Sequence, residues 1–390
     1  MATIKTGLIT NEQVLSNELV VDMSERIHRL QEDRTQFTTM LMEISRKEAT
    51  REVIDWLEEQ YTPRTTGLAA SATSAATAIT VTTGEGNTVL QINDVLRVME
   101  TGEGLLVTGV SANSAAVTRT WGGTAAASAT SAAKILVVGN AYTQGASSGV
   151  NRYTQRVRGY NYVQEIRHPM LTSFIEIGNE LYGGREPEKE IVRKGIEHKQ
   201  SIESTLFWGA RDYNSAGVRG SCGGAVEFIS TNITSAGGAL TPAEMDTFLQ
   251  GPLGYAEDPV FFCAPTVATV LSQMYRGIWA PRDGGTQKFG VKVNGWIDST
   301  YGGNIPIIVK KEWSDLNATG SNYGTWGFLI DMAKVRLRPF RGWPIGSLRR
   351  KIQEPSATAQ ADEFYSPLSL EFGQQQAHGI LKNVTSYSAT

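Results

Sequence analysis

Apolar residues recur at three- and four-residue steps in two parts of the chain. Ile27, Leu30, Phe37, Met40, Leu41 and Ile44 share one face, which predicts an amphipathic helix starting at Ser24, a serine able to cap it. The stronger pattern spans 185–209, where Val192, Ile196, Lys199, Ile202 and Leu206 trace a stripe. Pro187 suits the first turn of that helix, and Glu186, Glu188 and Glu190 sit where the helix dipole favours acid. Gly209 ends it, giving a length of about 35 Å at ~1.5 Å per residue.

Elsewhere the period shortens to two. Residues 52–60 alternate loosely and fit strand or helix. The runs Ala78–Thr83, Asp94–Met99, Leu105–Val110, Ala115–Thr120 and Lys134–Val138 are β-branched and short. Turn residues such as Gly84-Glu-Gly-Asn87, Gly102-Glu-Gly104 and Trp121-Gly-Gly123 part them. Strands at this spacing predict a small β-sandwich or barrel over 68–140. That stretch is nearly uncharged and rich in Ala, Ser, Thr, Gly and Val, so its edges read as those of an inserted module; the bland alternative is a low-complexity linker. Further on, Thr241-Pro-Ala-Glu244 has the form of a capping box. Pro259–Cys263 reads as a buried strand and Val267–Met274 as a helix. Strands are expected at 305–309, 326–330, 335–340, 369–372 and 379–384. The order is α+β, without βαβ alternation.

Composition narrows the classes. A chain of 390 residues, 41% hydrophobic and 19% charged, folds as two or three compact units. Its net charge of -3 argues against a dominant basic face for nucleic acid. Cys222 and Cys263 form neither a disulfide framework nor a zinc motif and read as reduced thiols of a cytosolic fold. The start, MATIKTGLITNEQ, lacks the pattern of a signal peptide, and no run approaches the ~20 apolar residues of a membrane span. Asn232, Asn317 and Asn383, which match the glycosylation pattern, are then chance matches.

The candidate chemistry dissolves on inspection. Gly145-Ala-Ser-Ser-Gly149 matches GxSxG, yet a nucleophile elbow needs a strand before it and a helix after it. Gly220-Ser-Cys-Gly-Gly224 offers a thiol, which would need a base beside it. His28, His168, His198 and His378 have no paired ligand spacing and read as surface or boundary residues. The carboxylates of the long helix suit dipole and solvent roles. No catalytic, cofactor-binding or metal-binding residue is assigned, and no cofactor is expected. Tyr153, Tyr160 and Tyr162 interleave with Arg152, Arg156, Arg158 and Arg167. This pattern fits base stacking, or better an extended hairpin pressed on a neighbouring protein. The densest basic cluster, Arg336, Arg338, Arg341, Arg349, Arg350 and Lys351, fits DNA or an acidic segment of a neighbouring subunit.

The order of segments resembles the major capsid proteins of tailed bacteriophages, the HK-ninety-seven-type fold that bacterial encapsulins share. The features that carry it are the Trp56 segment, Thr101-Gly-Glu103, Thr118-Arg-Thr-Trp-Gly-Gly123, Asn161-Tyr-Val-Gln-Glu-Ile166, the long helix, Val260–Met274, Ser299-Thr-Tyr-Gly-Gly303, Phe328–Arg338, Leu370-Glu-Phe372 and His378-Gly-Ile-Leu381. The resemblance implies an N-terminal arm and helix at 1–50 and an extended loop at 51–67 and 141–184. It implies an inserted β-domain at 68–140 and a peripheral domain with the spine helix at 185–240. An axial domain at 241–334 and a return to the peripheral domain at 335–390 complete the chain. The branch with a small β-domain in the extended loop is the nearest likeness. The implied function is a structural subunit, not an enzyme, that self-assembles into hexameric and pentameric capsomers of an icosahedral shell around double-stranded DNA. Implied partners are a separate scaffolding protein, a portal, a decoration protein and packaged DNA bound without sequence specificity, with no membrane. The implied location is the virion, and the host cytoplasm during assembly. An encapsulin-like cage holding a cargo enzyme is the alternative. An arm ordered mainly by neighbours implies that removing residues 1–46 leaves a soluble protein that forms no shells.

Overall fold

The computed structural model describes residues 35–44, 46–147, 149, 151, 153–179, 186–216, 218–274, 287–288, 291–292, 294–297, 304–318 and 321–388. The chain divides into two compact units, Leu57–Arg158 and the sequence on either side of it. Helix α1 (Gln36–Glu43) comes first. Residues 24–34 of the helix expected from Ser24 lie outside the described residues, and Thr35 is non-helical at φ -100° and ψ 46°. Strand β1 (Val53–Glu58) resolves the ambiguous 52–60 segment as extended chain.

The smaller unit is built from β2 (Thr65–Gly67), β3 (Ala78–Thr80), the single-turn α2 (Gly86–Val89), β4 (Asp94–Val98), β5 (Gly104–Val110), β6 (Ser114–Thr118) and β7 (Lys134–Asn140). Its sheet runs β2-β7-β4-β5-β6-β3. A bridge between Leu68 and Val81 joins the continuations of the two edge strands and closes the sheet into a barrel. Alternate positions point inward: Leu96 and Val98, Leu105 and Val107, Ala115 and Val117, and Ile135 and Val137 are buried in a core of their own. One charged pair sits in this barrel. Glu103, 1% exposed, accepts from Nε and Nη2 of Arg119 at 2.7 and 2.6 Å and from the amides of Thr120 and Ala127. Arg119 also donates to the carbonyls of Thr73 and Ala127. The pair thus clasps the long loops to the barrel wall.

The larger unit continues with β8 (Val157–Tyr162), which pairs with β1, then β9 (Gln164–Ser173), α3 (Phe174–Gly178) and α4 (Glu186–Trp208). The hairpin β10 (Asp212–Asn214) and β11 (Arg219–Ser221) leads to the short α5 (Ala225–Phe228) and to β12 (Ile233–Leu240). Next come α6 (Pro242–Leu253), β13 (Pro259–Cys263), α7 (Pro265–Met274), the two-residue strands β14 (Gln287–Lys288) and β15 (Val291–Lys292), β16 (Asn294–Ile297) and β17 (Asn304–Val309). A second two-residue pair, β18 (Asn317–Ala318) and β19 (Ser321–Asn322), precedes β20 (Gly327–Asp331), β21 (Val335–Pro339), β22 (Ser347–Arg349), β23 (Ala359–Phe372) and β24 (Gly379–Tyr387). Six strands form a mixed sheet, β12-β24-β20-β13-β17-β16, in which β12 with β24 and β13 with β17 are parallel. In a second sheet β23 takes β21 and β22 on one edge and β9 on the other.

The Thr241–Glu244 capping box forms as expected, with the Glu244 amide donating to Thr241 Oγ1 at 3.2 Å and the Thr241 amide to Glu244 Oε2 at 2.9 Å. Gly209 ends α4 because the 222–224 loop crosses there; a Cβ would lie 2.3 Å from the Cys222 carbonyl oxygen. Two expectations fall short. Strand β23 runs fourteen residues, where only 369–372 was expected, because most of it is buried on both faces and shows no alternation. The buried side of α4 is His198, Ile202, Glu203, Leu206 and Phe207, while Val192 is 58% exposed and Lys199 faces solvent. An aromatic knot of Phe37, Phe207, Phe262, Trp313 and Phe328 lies at the centre of the larger core.

Glu103→Ala strands Arg119 inside the barrel, and removing one partner of a buried pair costs about 3–5 kcal/mol. The expected outcome is selective loss of the barrel's unfolding transition in urea, followed by Trp121 fluorescence. Hydrogen bonds from Arg119 hold the Glu103 carboxyl below its usual 4.5. The clasp is therefore fully present above that pH and is lost as pH falls through the lowered value.

A candidate assembly anchor at the root of the N-terminal helix

Helix α1 does not cap itself. Thr35 precedes it with no side-chain cap, leaving first-turn amides without partners. The acceptor comes from 165 residues away. Glu203, on the buried side of α4, takes the Phe37 amide on Oε1 at 2.9 Å and the Thr38 amide on Oε2 at 2.6 Å, and Thr38 Oγ1 also donates to Oε2. A carboxylate at a helix N-terminus meets both the orphan N–H groups and the positive end of the dipole.

The counter-charge arrives from a third element. Lys310 directly follows β17 and is fully buried. Its Nζ donates to Glu203 Oε1 at 2.6 Å and to Gln36 Oε1 at 3.2 Å, and stands 3.0 Å from Glu312 Oε1. Two charges removed from water cost several kcal/mol each, a penalty offset only when every polar atom finds a partner. Here the carboxylate has four donors and the ammonium three oxygens. The anchor ties α1, the long helix and the six-stranded sheet at one point.

This arrangement corrects two expectations. The carboxylates of the long helix are not all solvent groups, because Glu203 is 1% exposed. Nor is the whole arm ordered by neighbours: Phe37, Met40 and Leu41 are buried within their own chain, at 0%, 0% and 1% exposure. The signal was faint. Glu203 sits between Ile202 and the Leu206-Phe207 pair, and Lys310 ends an apolar run, but nothing in the sequence joins the two.

The other singled-out residues fall as follows. Cys222 and Cys263 are free and buried, and burial pushes their thiols up to about 11 and about 12. Cys222 touches Asn161 and the Gly223 carbonyl, not a base. Ser147 of the GxSxG match lies in irregular chain, with no helix after it among the described residues before β8. His28 lies outside the described residues. His198 and His378 are fully buried, against the expectation of boundary histidines. His378 Nδ1 accepts from the Asp331 amide at 3.0 Å while Nε2 donates to the Gly373 carbonyl at 3.0 Å, and burial lowers its pKa to about 4.

The tyrosine–arginine stretch is spent largely within its own chain. Arg211 lies 4.3 Å over the Tyr160 ring, and Tyr162 stacks on Tyr213 at 5.2 Å. Arg156 pairs with Glu59, and Arg167 with Glu165, while Tyr153 is 83% exposed and Arg152 lies outside the described residues. The basic cluster is likewise dispersed. Arg338 pairs with Glu371 and Arg349 with Glu363, both on β23 of the same chain. Arg336, Arg341, Arg350 and Lys351 are exposed and make no ion pair among the described residues. Among the described residues no cluster of metal-ligating side chains occurs, and no helix is long and apolar enough to cross a membrane.

With a long helix laid against a sheet, a second mixed sheet and a terminal strand returning to it, the fold is that of tailed-phage capsid subunits. A capsid protein of cyanophage A-1(L) matches over 97% of this chain and 100% of its own, with 10% identity and a TM-score of 0.56. A chain from the structure of Mycobacterium phage Ogopogo matches over 96% of this chain and 99% of its own, with 9% identity and a TM-score of 0.51. The capsid of the empty GTA particle matches over 96% and 98%, also at 9% identity and 0.51. No curated protein matches the sequence. The model of the SU10 major capsid protein family matches residues 3–385, and the chain belongs to that family. It is a capsid shell subunit of the virion and a structural protein, not an enzyme.

Lys310→Met leaves the buried Glu203 carboxylate without its cation and is expected to cost about 3–5 kcal/mol in chemical denaturation of the subunit; Glu203→Ala uncaps α1 but leaves Lys310 its contact with Glu312, and is expected to cost no more than that. The double variant should cost clearly less than the sum of the two, because the penalties share one cause.

Proposed function

We propose that this chain builds the icosahedral shell of a tailed phage around double-stranded DNA, as hexameric and pentameric capsomers. The family match over 3–385 carries the reading. In this reading 51–67 and 141–184 form the extended loop, with 68–140 inserted in it. Residues 185–240 and 335–390 make the peripheral domain and 241–334 the axial domain. The separate core of Leu57–Arg158 supports the insertion. Assembly takes place in the host cytoplasm with a separate scaffolding protein and a portal, and a decoration protein is a further partner.

The anchor moves the boundary of the arm. Truncation through residue 46 removes α1 and strands Glu203 and Lys310, so the subunit is expected to unfold. Truncation of 1–34 keeps the anchor and tests assembly alone. The expected result is a folded subunit, by circular dichroism, that forms no particles in negative stain, where the full-length protein forms closed icosahedral shells. Open sheets or soluble monomers from the full-length protein would overturn the reading. A cargo protein co-purifying inside the particles, in place of DNA, would favour the encapsulin-like cage.

Packaged DNA is contacted without sequence specificity through scattered exposed cations, since Arg338 and Arg349 are already neutralised within the subunit. Arg350→Glu with Lys351→Glu is expected to spare empty-shell assembly and reduce DNA filling. Failure to form empty shells would assign these residues to contacts between subunits instead.

A further inference from the structure

The long helix is held unevenly. Its C-terminal part buries Ile202, Leu206 and Phe207 in the main core. From Glu186 to His198, His198 is the only fully buried side chain among those described. The aliphatic side chains there are at most half-buried, Ile191 and Ile196 partly covered and Val192 exposed. Gly195 lets the helix approach until an added Cβ would stand 3.3 Å from Phe364 of β23, and the His198 ring stacks on that phenyl at 5.8 Å and 26°.

Beside this packing a line of polar groups crosses from helix to sheet. Gly346 donates its amide to Ser366 Oγ at 2.7 Å, Ser366 Oγ meets His198 Nε2 at 2.7 Å, His198 Nδ1 meets His168 Nδ1 at 3.0 Å, and His168 Nε2 meets Ser201 Oγ at 3.2 Å. Two ring nitrogens in contact require one N–H and one lone pair. With both rings neutral the line is satisfied when every donor points the same way along it: Ser366 Oγ–H to His198 Nε2, His198 Nδ1–H to His168 Nδ1 and His168 Nε2–H to Ser201 Oγ, or the same contacts reversed from Ser201 Oγ–H to Ser366 Oγ. A first added proton places a cation in a buried site and leaves both Ser366 and Ser201 as acceptors, so one of the two must turn its hydrogen away. A second sets two N–H groups head to head.

We propose that the His168–His198 pair is an acid-sensitive latch that fastens the N-terminal half of the long helix to β9 and β23, and that protonation frees this half while the C-terminal half stays seated.

The surroundings do little to offset the charge. Glu197 favours protonation of His168, but it is engaged by Lys194 at 2.6 Å and Arg193 at 3.3 Å, and Lys194 opposes it. On β23, Asp362 lies on the same side of the strand as Phe364 and Ser366, yet its oxygens accept from the Lys351 amide and Gln360 Nε2. Alternation on β9 sends Glu165 and Arg167 to the other side of the sheet, and likewise Glu363 and Tyr365 on β23. The segment at Gly346 brings no charge to the pair through its amide contact. Burial accordingly lowers both histidines, His198 to about 4. A histidine whose folded pKa is lowered takes up protons on release. The latch is therefore closed above the unfolded value near 6.5 and weakens as pH falls toward 4.

The test is hydrogen exchange of the full-length subunit at pH 7 and pH 4.5, corrected for intrinsic rates. Protection in 186–198 and 164–171 should fall relative to 199–208, by up to about tenfold per pH unit for each proton taken up. His168→Gln with His198→Gln should abolish this difference between the two halves. His378→Gln, which removes the other buried histidine, should retain it. Should the double variant fail to fold, Ser366→Ala serves instead: it keeps both rings and should retain the pH dependence at lower overall protection. Uniform loss of protection along the helix, or an unchanged difference in the double glutamine variant, would overturn the proposal.

Discussion

A helix of eight residues cannot hold itself in water, and α1 has no cap of its own. It exists because Glu203 presents a carboxylate to its first amides, and the Lys310 ammonium meets that carboxylate in the core. The constraint runs in both directions. Without α1 the carboxylate loses three of its donors, and without Lys310 it is an uncompensated buried charge. The aromatic knot around Phe37 and Phe207 packs on this point, so the positions of α1, α4 and the end of β17 are set together.

The smaller unit repeats the solution independently. Glu103 and Arg119 organise loops around a core of short β-branched and alanine side chains, too slight to fix long connections by packing alone. In both units one buried carboxylate collects several backbone or hydroxyl donors and one cation. Such a pair adds little net stability, but it tolerates only one arrangement of the segments it joins. A shell repeats one subunit many times, and a subunit with one geometry suits that use.

Charge is handled differently at the surface. The arginines that look like a basic face along the sequence are separated by the strands that carry them, and β23 supplies acids opposite two of them. Tyr160 and Tyr162 meet partners in their own chain for the same reason: a β-sheet brings distant segments alongside and pairs them locally.

Much of the architecture was legible from period and punctuation. The five strand runs of 68–140, the helix ending at Gly209, the capping box at Thr241 and the buried strand Pro259–Cys263 each rest on local chemistry, and each formed as read. The family likeness was legible too, because it lies in the order of these elements. Period failed where burial was two-sided, as along β23, and where a polar residue served the core, as at His198 and Glu203. A glutamate between apolar neighbours on a helix looks the same whether it faces water or a lysine 107 residues on. By itself, then, the sequence determined which segments become helix and strand, and in what order. Only the tertiary structure decided which charges are buried and what they hold, because a buried ion pair depends on separations in space that sequence distance does not encode.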